Sequence, residues 1–498
     1  MRGAEVKRTT INAVKTNNLQ IFLRKGKSAR MNLKLSAIES YFFHRSRLNL
    51  HSCFYVGIKL NELPKKSQLI AALKYTVIQH ERLTCNVFYD ELKKENFLQN
   101  ILEPLKFCDL IEYHHDWDQL GETEINHIFQ RYNFSYNENK SLWKILILPN
   151  QNQMLLLTDH VLMDGMSAVH VWETFMEGLQ MQQPVEIDET IYSPSLNSSI
   201  EKIMSAPLYG DWPIPWNWHI VRQLVSRLHY WFPQTVVKNN RNLIQFANYS
   251  FPKDLLDDKP SDGTQKYKVK NTNHQWEFQL SPTHLNDILQ ECKANNTSLT
   301  SLLGALVCTS FEKIAAHEYT GSFLKIELPM NIRKPFERVL KLPSDDKLAV
   351  GNFIAVIEFN HKLHQNRGIW DIASQIQRAI RSSSEDKIID KVNEVKLLEV
   401  ISSQQYIEDK ISLNNGPSST FEVTNLGFQT FKDACNTSLP FYIVDATFNE
   451  PQGISSIFSL SVISTPGNGL HCCISYPNTL TKVLEPHWQY MKDYLNLY

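Results

Sequence analysis

Apolar residues recur along this chain with two periods, and the alternation between them outlines a fold. Ser36-x-x-Glu39 forms a capping box, and Ile38, Tyr41 and Phe42 follow at helical spacing, which predicts a helix opening at Ser36. Cys53 to Leu60 reads as a strand, and Ser67 to His80 reads as a helix with Leu69, Leu73 and Val77 on one face. Leu83 to Tyr89 and Leu142 to Leu148 are strand-like. Met154 to Thr158 is a short apolar run with a polar break after it, the pattern of a central strand covered on both faces. Ser167 to Leu179 carries the next helical pattern. Strands alternating with helices bury their apolar faces as layers, so the expectation is an α/β domain.

The pattern breaks at residues 233–275, where Pro233, Pro252, Pro260 and Gly263 mix with Asn, Asp and Lys, and a linker is expected there. A second alternation follows. It has a strand near 275–280, a helix from Ser298 to Ala315, strands at Phe323–Leu328 and Val350–Phe359, and a helix from Ile369. Ser455 to Ser464, the turn Pro466-Gly-Asn-Gly469 and Leu470 to Tyr476 predict a hairpin, and a last helix begins near Thr479. The chain therefore divides into a leader at 1–30, an N-terminal lobe at 31–232, the linker at 233–275 and a C-terminal lobe at 276–498.

Composition narrows the possibilities. A chain of 498 residues, 42% hydrophobic, suffices for two cores. Its 51 basic and 52 acidic residues leave a formal charge of −1, without the basic stripe of a nucleic-acid binder. The eight cysteines are scattered, with none at C-x-x-C spacing, so buried thiols are expected rather than a metal or redox pair. No apolar run approaches the ~18 residues of a membrane span, and the N-terminus lacks the apolar core of a secretory signal. From Met1 to Lys34 there are nine Lys or Arg and one acid, Glu5. That is the composition of a mitochondrial transit peptide, but its helical amphipathicity is poor, so the expectation is a disordered arm or an extension ahead of a second start at Met31.

Candidate chemistry lies at Thr158-Asp-His160-Val-Leu-Met-Asp164-Gly165. With 17 histidines, about one His-x-x-x-Asp match arises by chance, and His114 to Asp118 is another. Requiring Gly after the Asp lowers the chance number to about 0.03, and only the His160 segment passes. His160 also follows a buried strand and precedes a helix across a turn that glycine permits, a rigid mount for a reactive group. A neutral imidazole there would take a proton from a hydroxyl or amine as it attacks an acyl carbonyl. Asp164 either orients the ring or forms an ion pair that holds the loop. No G-x-S-x-G elbow, Walker loop or G-x-G-x-x-G is present, which argues against a serine hydrolase and against those nucleotide sites.

His160-x-x-x-Asp164-Gly165 resembles the signature of the CoA-dependent acyltransferase superfamily, and three later segments resemble it in order. Pro329 to Pro335, with Arg333, and Val350-Gly-Asn352-Phe resemble the second-lobe arginine strand and its Gly-Asn partner. Val423-Thr-Asn-Leu-Gly427 resembles the strand end beside the CoA channel. Tyr442 to Phe448, with Asp445, occupies the place of the plant-type Asp-Phe-Gly-Trp-Gly motif but keeps little more than the Asp, which fits the fungal alcohol acetyltransferase branch. Arg30 to Glu39 and His44 to His51 resemble the N-acetylating members of that branch.

The resemblance implies a two-lobed α/β fold of chloramphenicol-acetyltransferase type, with the active site in a tunnel between lobes. It implies acetyl transfer from acetyl-CoA, without a metal, to the amine of a lipophilic, sphingoid-like acceptor of the myriocin type. His160 would be the general base, and Asp164 would pair with Arg333, with Gly165 completing the structural motif. Thr424 and Asn425 would lie beside the CoA and could donate to the oxyanion, or merely end a strand. O-acetylation of an alcohol uses the same base and stays open, as does a non-catalytic member of the fold that binds a lipid or partner.

Trp212 to Phe232 adds a further feature. Ile220, Val221, Leu224, Val225, Leu228, Trp231 and Phe232 share one helical face with Arg222 and Arg227 off it. Such a helix suits a bilayer interface, or it packs on a lobe, which is the commoner arrangement. The stripe Val483, Leu484, Trp488, Met491, Leu495 has the same two readings. A lipophilic acceptor and an interfacial helix would put the protein peripherally at the cytoplasmic face of the endoplasmic reticulum. The alternatives are the cytosol or, from the leader, the mitochondrion.

Overall fold

The strands of the two main sheets of the computed structural model are, in chain order, β1 (Phe54–Leu60), β2 (Ile111–Tyr113), β3 (Trp143–Leu148), β4 (Gln153–Thr158), β5 (Asn273–Leu280), β6 (Phe323–Asn331), β7 (Ile354–Lys362), β8 (Ser419–Phe428), β9 (Ile443–Asn449), β10 (Ser456–Thr465) and β11 (Gly469–Pro477). They form a five-stranded sheet of order β9-β1-β4-β3-β2 and a six-stranded sheet of order β5-β11-β10-β8-β6-β7. The structure describes residues 32–181, 188–194, 205–237, 242–257, 266–314, 319–342, 350–413 and 416–497. The expected leader at 1–30 lies outside them.

Strand β4 is buried at every position because both faces of the first sheet are covered. Met154 and Leu156 enter the main core with α1 (Ala37–Arg47), α2 (Lys66–Gln79) and α3 (Gly165–Gln180). Leu155 and Leu157 point the other way, against Ile125, Ile128 and Phe129 of the helix Glu122–Arg131. A side-chain period of two, with cover on both faces, turns the sequence into an unbroken apolar run. On the second sheet, Leu324, Ile326, Leu328, Phe421 and Val423 form one apolar face with the C-terminal half's helices.

The expected hairpin is present as β10 paired antiparallel to β11. Two expectations on organisation need correction. Strand β9 pairs with β1, so the later half of the chain completes the first sheet and the lobes do not divide at one point in sequence. The described parts of the segment read as a linker are packed rather than free. Gln245–Phe246 pairs with Tyr319–Thr320, and Phe251, Leu255, Leu256 and Val269 form a small core with Leu50, Ile407, Ile411 and Ile454. Its Pro and Asn content hid a set of apolar residues with no regular period.

The Trp-rich segment is α4 (Trp216–Trp231), and it docks by its polar side. Trp218 Nε1 donates to Asp390 at 2.6 Å, and Arg222 donates to the Lys396 carbonyl and pairs with Glu399, each at 2.9 Å. Its apolar stripe is split: Ile220, Leu224, Trp231 and the following Phe232 are exposed, while Val221 and Val225 are half-buried and Val225 and Leu228 line a cavity. In α5 (Thr481–Leu495) the corresponding stripe is buried in the second core. Among the described residues, no helix is long and apolar enough to cross a membrane, and none of the eight cysteines forms a disulfide.

Candidate active site

A cavity of about 870 Å3 lies where the two sheets face each other. One wall is the polar face of the second sheet. Lys325, Glu327 and Pro329 on β6, Val356 and Glu358 on β7, and Glu422 and Thr424 on β8 line it, while the alternate residues of β6 and β8 enter the core. The opposite wall comes from α1, with Phe42 and Arg45, from Phe54 of β1 and from His160.

His160 sits two residues beyond β4, in the loop before α3. Its ring stacks on Phe42, with centroids 3.8 Å apart and planes at 24°, and Phe54 lies at 5.1 Å. Nδ1 is buried and has no hydrogen-bond partner among the described residues. The loop is held from both halves of the molecule. Asn352 Nδ2 donates to the carbonyls of His160 and Val161 at 3.0 and 3.1 Å. Arg82, buried against the Glu39 carboxylate, donates to the carbonyls of Leu162 and Val161. Asp159 accepts from the Val161 amide at 2.8 Å and from the Tyr136 hydroxyl at 2.6 Å. Burial first, and the Arg45 charge second, lower the His160 imidazole to about 3, so it is a neutral, proton-accepting ring across the physiological range.

Asp164 faces away from that ring. Arg333 Nη1 donates to its Oδ2 at 3.0 Å and Nη2 to its Oδ1 at 2.9 Å, forming a buried two-pronged pair. Asp164 also caps α3, accepting from the Ser167 amide at 2.8 Å, and accepts from the Phe353 amide at 2.9 Å. Burial alone would raise this carboxyl, but the Arg333 charge and hydrogen bonds and the two amides hold it below the usual carboxylate range. Arg333 and Phe353 flank strands of the second sheet, so the motif aspartate ties the histidine loop to the other half of the cavity wall.

Gly165 has a different reason from the one expected. Its φ is not in the left-handed region; it is the first residue of α3, and a Cβ there would lie 2.7 Å from Leu426 Cδ2. What a side chain there would displace is the end of the Leu426 side chain, so no special turn is involved. Thr424 and Asn425 both line the cavity, with their polar atoms engaged. The Thr424 hydroxyl lies 2.8 Å from Glu422 Oε1 and 3.0 Å from Glu450 Oε1. Asn425 donates to Thr300 Oγ1 at 3.0 Å and accepts from the Gly427 amide at 2.8 Å, beside a β-bulge. Asp445 lies in β9, bonded to Asn468 at 2.6 Å.

Arg45, Glu327, Glu422 and Glu450 were not singled out from the sequence, yet all four line the cavity. Glu327 and Glu422 alternate with Ile326, Leu328, Phe421 and Val423, the ordinary signature of a strand with one face in water. The signal was present but pointed to solvent.

The sequence profile of the alcohol acetyltransferase family matches residues 34–496. The N-acetyltransferase SLI1 of Saccharomyces cerevisiae is 99% identical over 468 residues, which are 94% of this chain and 100% of the relative. Among solved structures, TRI3 trichothecene 15-O-acetyltransferase from Fusarium sporotrichioides superposes with a TM-score of 0.59 at 10% identity, over 94% of this chain and 96% of that one. The first condensation domain of the CDA synthetase gives a TM-score of 0.59 at 11% identity, over 95% and 97%. At such identities the likeness is one of fold.

Proposed function

The chain belongs to the alcohol acetyltransferase family, and on that premise we propose that it moves acetyl from acetyl-CoA to the amine of a lipophilic, sphingoid-like acceptor, with His160 as general base. The observation that carries the mechanism is the neutral imidazole on the cavity wall, with its Nδ1 buried, which leaves Nε2 for proton transfer. The acceptor nitrogen attacks the thioester carbonyl, and the new C–N bond forms as the C–S bond breaks. His160 takes a proton from the attacking nitrogen and returns it to the leaving sulfur, so free CoA departs without a covalent enzyme intermediate. The two lobes contribute different walls, which suits two substrates meeting end to end.

The relative's description as an N-acetyltransferase supports nitrogen as the acceptor atom. The family description supports the alternative of an alcohol, for which His160 serves equally. We also place the outward face of α4 on a lipid surface, in keeping with a peripheral position at the endoplasmic reticulum. Trp216 is 76% and Trp231 70% exposed, while Val225 and Leu228 of the same helix line the cavity. An acceptor held in the bilayer would then enter beside the helix that touches it.

Thiol release from acetyl-CoA, measured with a long-chain amino-alcohol and with a primary alcohol of equal length, tests the reading. Release with the amine that disappears in His160→Ala supports it, and release with the alcohol alone moves the protein to ester formation. No release with either acceptor, from folded protein, overturns it.

A further inference from the structure

An amine acceptor poses a proton problem that an alcohol does not. Near neutral pH an aliphatic amine is an ammonium ion, with a reference value near that of lysine at ~10.4. It must lose one proton before its nitrogen has a lone pair and a second as it is acylated. His160 accounts for one of them.

The cavity that His160 lines also holds carboxylates that the mechanism so far leaves idle. Glu422 comes from β8, in the six-stranded sheet, and Glu450 directly follows β9, in the five-stranded sheet, so the pair bridges the two halves. Both meet the Thr424 hydroxyl, at 2.8 and 3.0 Å. A hydroxyl has a single hydrogen, so it cannot donate fully to both carboxylates at once, and a proton shared by the pair relieves the shortage of donors. Burial first and the neighbouring Glu450 charge second push the Glu422 carboxyl up to about 8. A third carboxylate points to a ligand independently. Glu327 is 8% exposed, lines the same cavity and accepts no hydrogen bond among the described residues; its nearest cation, Lys325 Nζ, lies 3.9 Å away and is bonded to Glu358 at 2.7 Å. A buried carboxylate without a donor suits a bound group rich in N–H or O–H.

Resting on the nitrogen-acceptor reading above, we propose that Glu422 and Glu450 act as a shared-proton base that binds the acceptor's ammonium group and removes its first proton. Binding of the ammonium charge displaces the shared proton to solvent, and the pair then takes one proton from the ammonium in its place, leaving a free amine. The amine attacks the acetyl carbonyl, His160 takes the second proton and delivers it to the CoA sulfur, and the carboxyl pair is left with the single shared proton of its resting state. The balance is one ammonium and one acetyl-CoA giving one amide, one CoA thiol and one proton. Glu450 and Arg45 are the charged groups that act on Glu422, and Glu327, which feels the Glu422 charge, is acted on in turn by Lys410, Lys325 and Glu358. An alcohol needs no first deprotonation, so the pair separates nitrogen from oxygen acceptors.

The test compares wild type, Glu422→Gln and Glu450→Gln on the long-chain amino-alcohol and on the alcohol of equal length. The alcohol reaction and a thermal melt serve as controls for folding. Each substitution is expected to lower kcat/KM for the amine about a hundredfold, in the range of general-base losses, and to change the alcohol reaction less than threefold. The deficit should shrink as pH rises from about 7 to 9.5, because the amine then arrives neutral. Equal losses on both acceptors, or a deficit independent of pH, overturn the proposal while the nitrogen-acceptor reading stands. A wild type that acetylates only the alcohol overturns both.

Discussion

The Asp164 carboxylate receives both terminal nitrogens of Arg333, at 3.0 and 2.9 Å, across 169 residues of sequence. This pair joins the loop that carries His160 to the segment that leads out of β6, and the aspartate has no part in orienting the imidazole. Removing one partner leaves a buried guanidinium uncompensated, which costs about 3–5 kcal/mol in comparable pairs. Asp164→Asn is expected to lose that order of stability, together with soluble yield, while His160→Ala melts like wild type. Matching melting temperatures for Asp164→Asn and wild type would remove the structural assignment. Because the native carboxyl is held below its unfolded value, its contribution is complete above the ordinary aspartate range, ~3.9, and is lost as pH falls through the depressed native value.

The pH dependence of His160 follows from its surroundings. Its proton-accepting form is the neutral one, and with the imidazole lowered to about 3 that form persists far below the usual ~6.5. With an alcohol acceptor, kcat is expected to show no titration near pH 6.5, and its acidic fall should come only toward the stability limit of the protein. The Arg45 charge is the second cause of the depression, after burial, so Arg45→Gln should move the acidic limb upward. A wild-type limb at 6.5 would mean that the ring is far better solvated than its packing against Phe42 and Phe54 indicates.

Helix α4 gives a prediction about partitioning. Ile220 and Leu224 are 51% and 52% exposed and are not among the cavity-lining residues, so replacing both with Glu changes the outer face alone. The double variant should stay in the bottom fraction after flotation with phospholipid vesicles, whereas wild type should float, with thiol release from a water-soluble acceptor unchanged. Co-flotation of the variant would reject lipid seating by this face.

Gly165 and Leu426 should be energetically coupled. A Cβ at position 165 meets Leu426 Cδ2 at 2.7 Å, so Gly165→Val must push β8 or force Leu426 into another rotamer, a cost of about 1–3 kcal/mol. Leu426→Ala opens that space. In a double-mutant cycle the Val substitution should be markedly less damaging to the melting temperature in the Leu426→Ala background. Additive losses would place the need for glycine elsewhere.

Much of the local structure was legible before any coordinates. The capping box at Ser36 opens α1, and the Glu39 side chain accepts from the Ser36 amide at 2.8 Å as that motif requires. The same glutamate also meets Arg82 beneath the histidine loop, which no local pattern announces. The apolar run before His160 is the central strand β4, because cover on both faces leaves no polar position in it. The apolar residues between the prolines of 233–275 were passed over because they lack a period, and only their partners Leu50, Ile407 and Ile454 reveal why they are there.

By itself, the sequence determined many of the elements and the turn that carries His160-x-x-x-Asp164-Gly165 between β4 and α3, since these depend on neighbours a few residues apart and on side-chain period. Only the tertiary structure decided which side of each amphipathic element meets water. The stripe of α5 is buried whole, whereas that of α4 leaves Ile220, Leu224 and Trp231 exposed, although both read alike as helices. The polar faces of β6 and β8 look toward the opposite sheet rather than solvent, turning Glu327 and Glu422 into cavity groups. Periodicity records that an element has two faces; what covers each face is set by chain segments hundreds of residues away, and that information is not local.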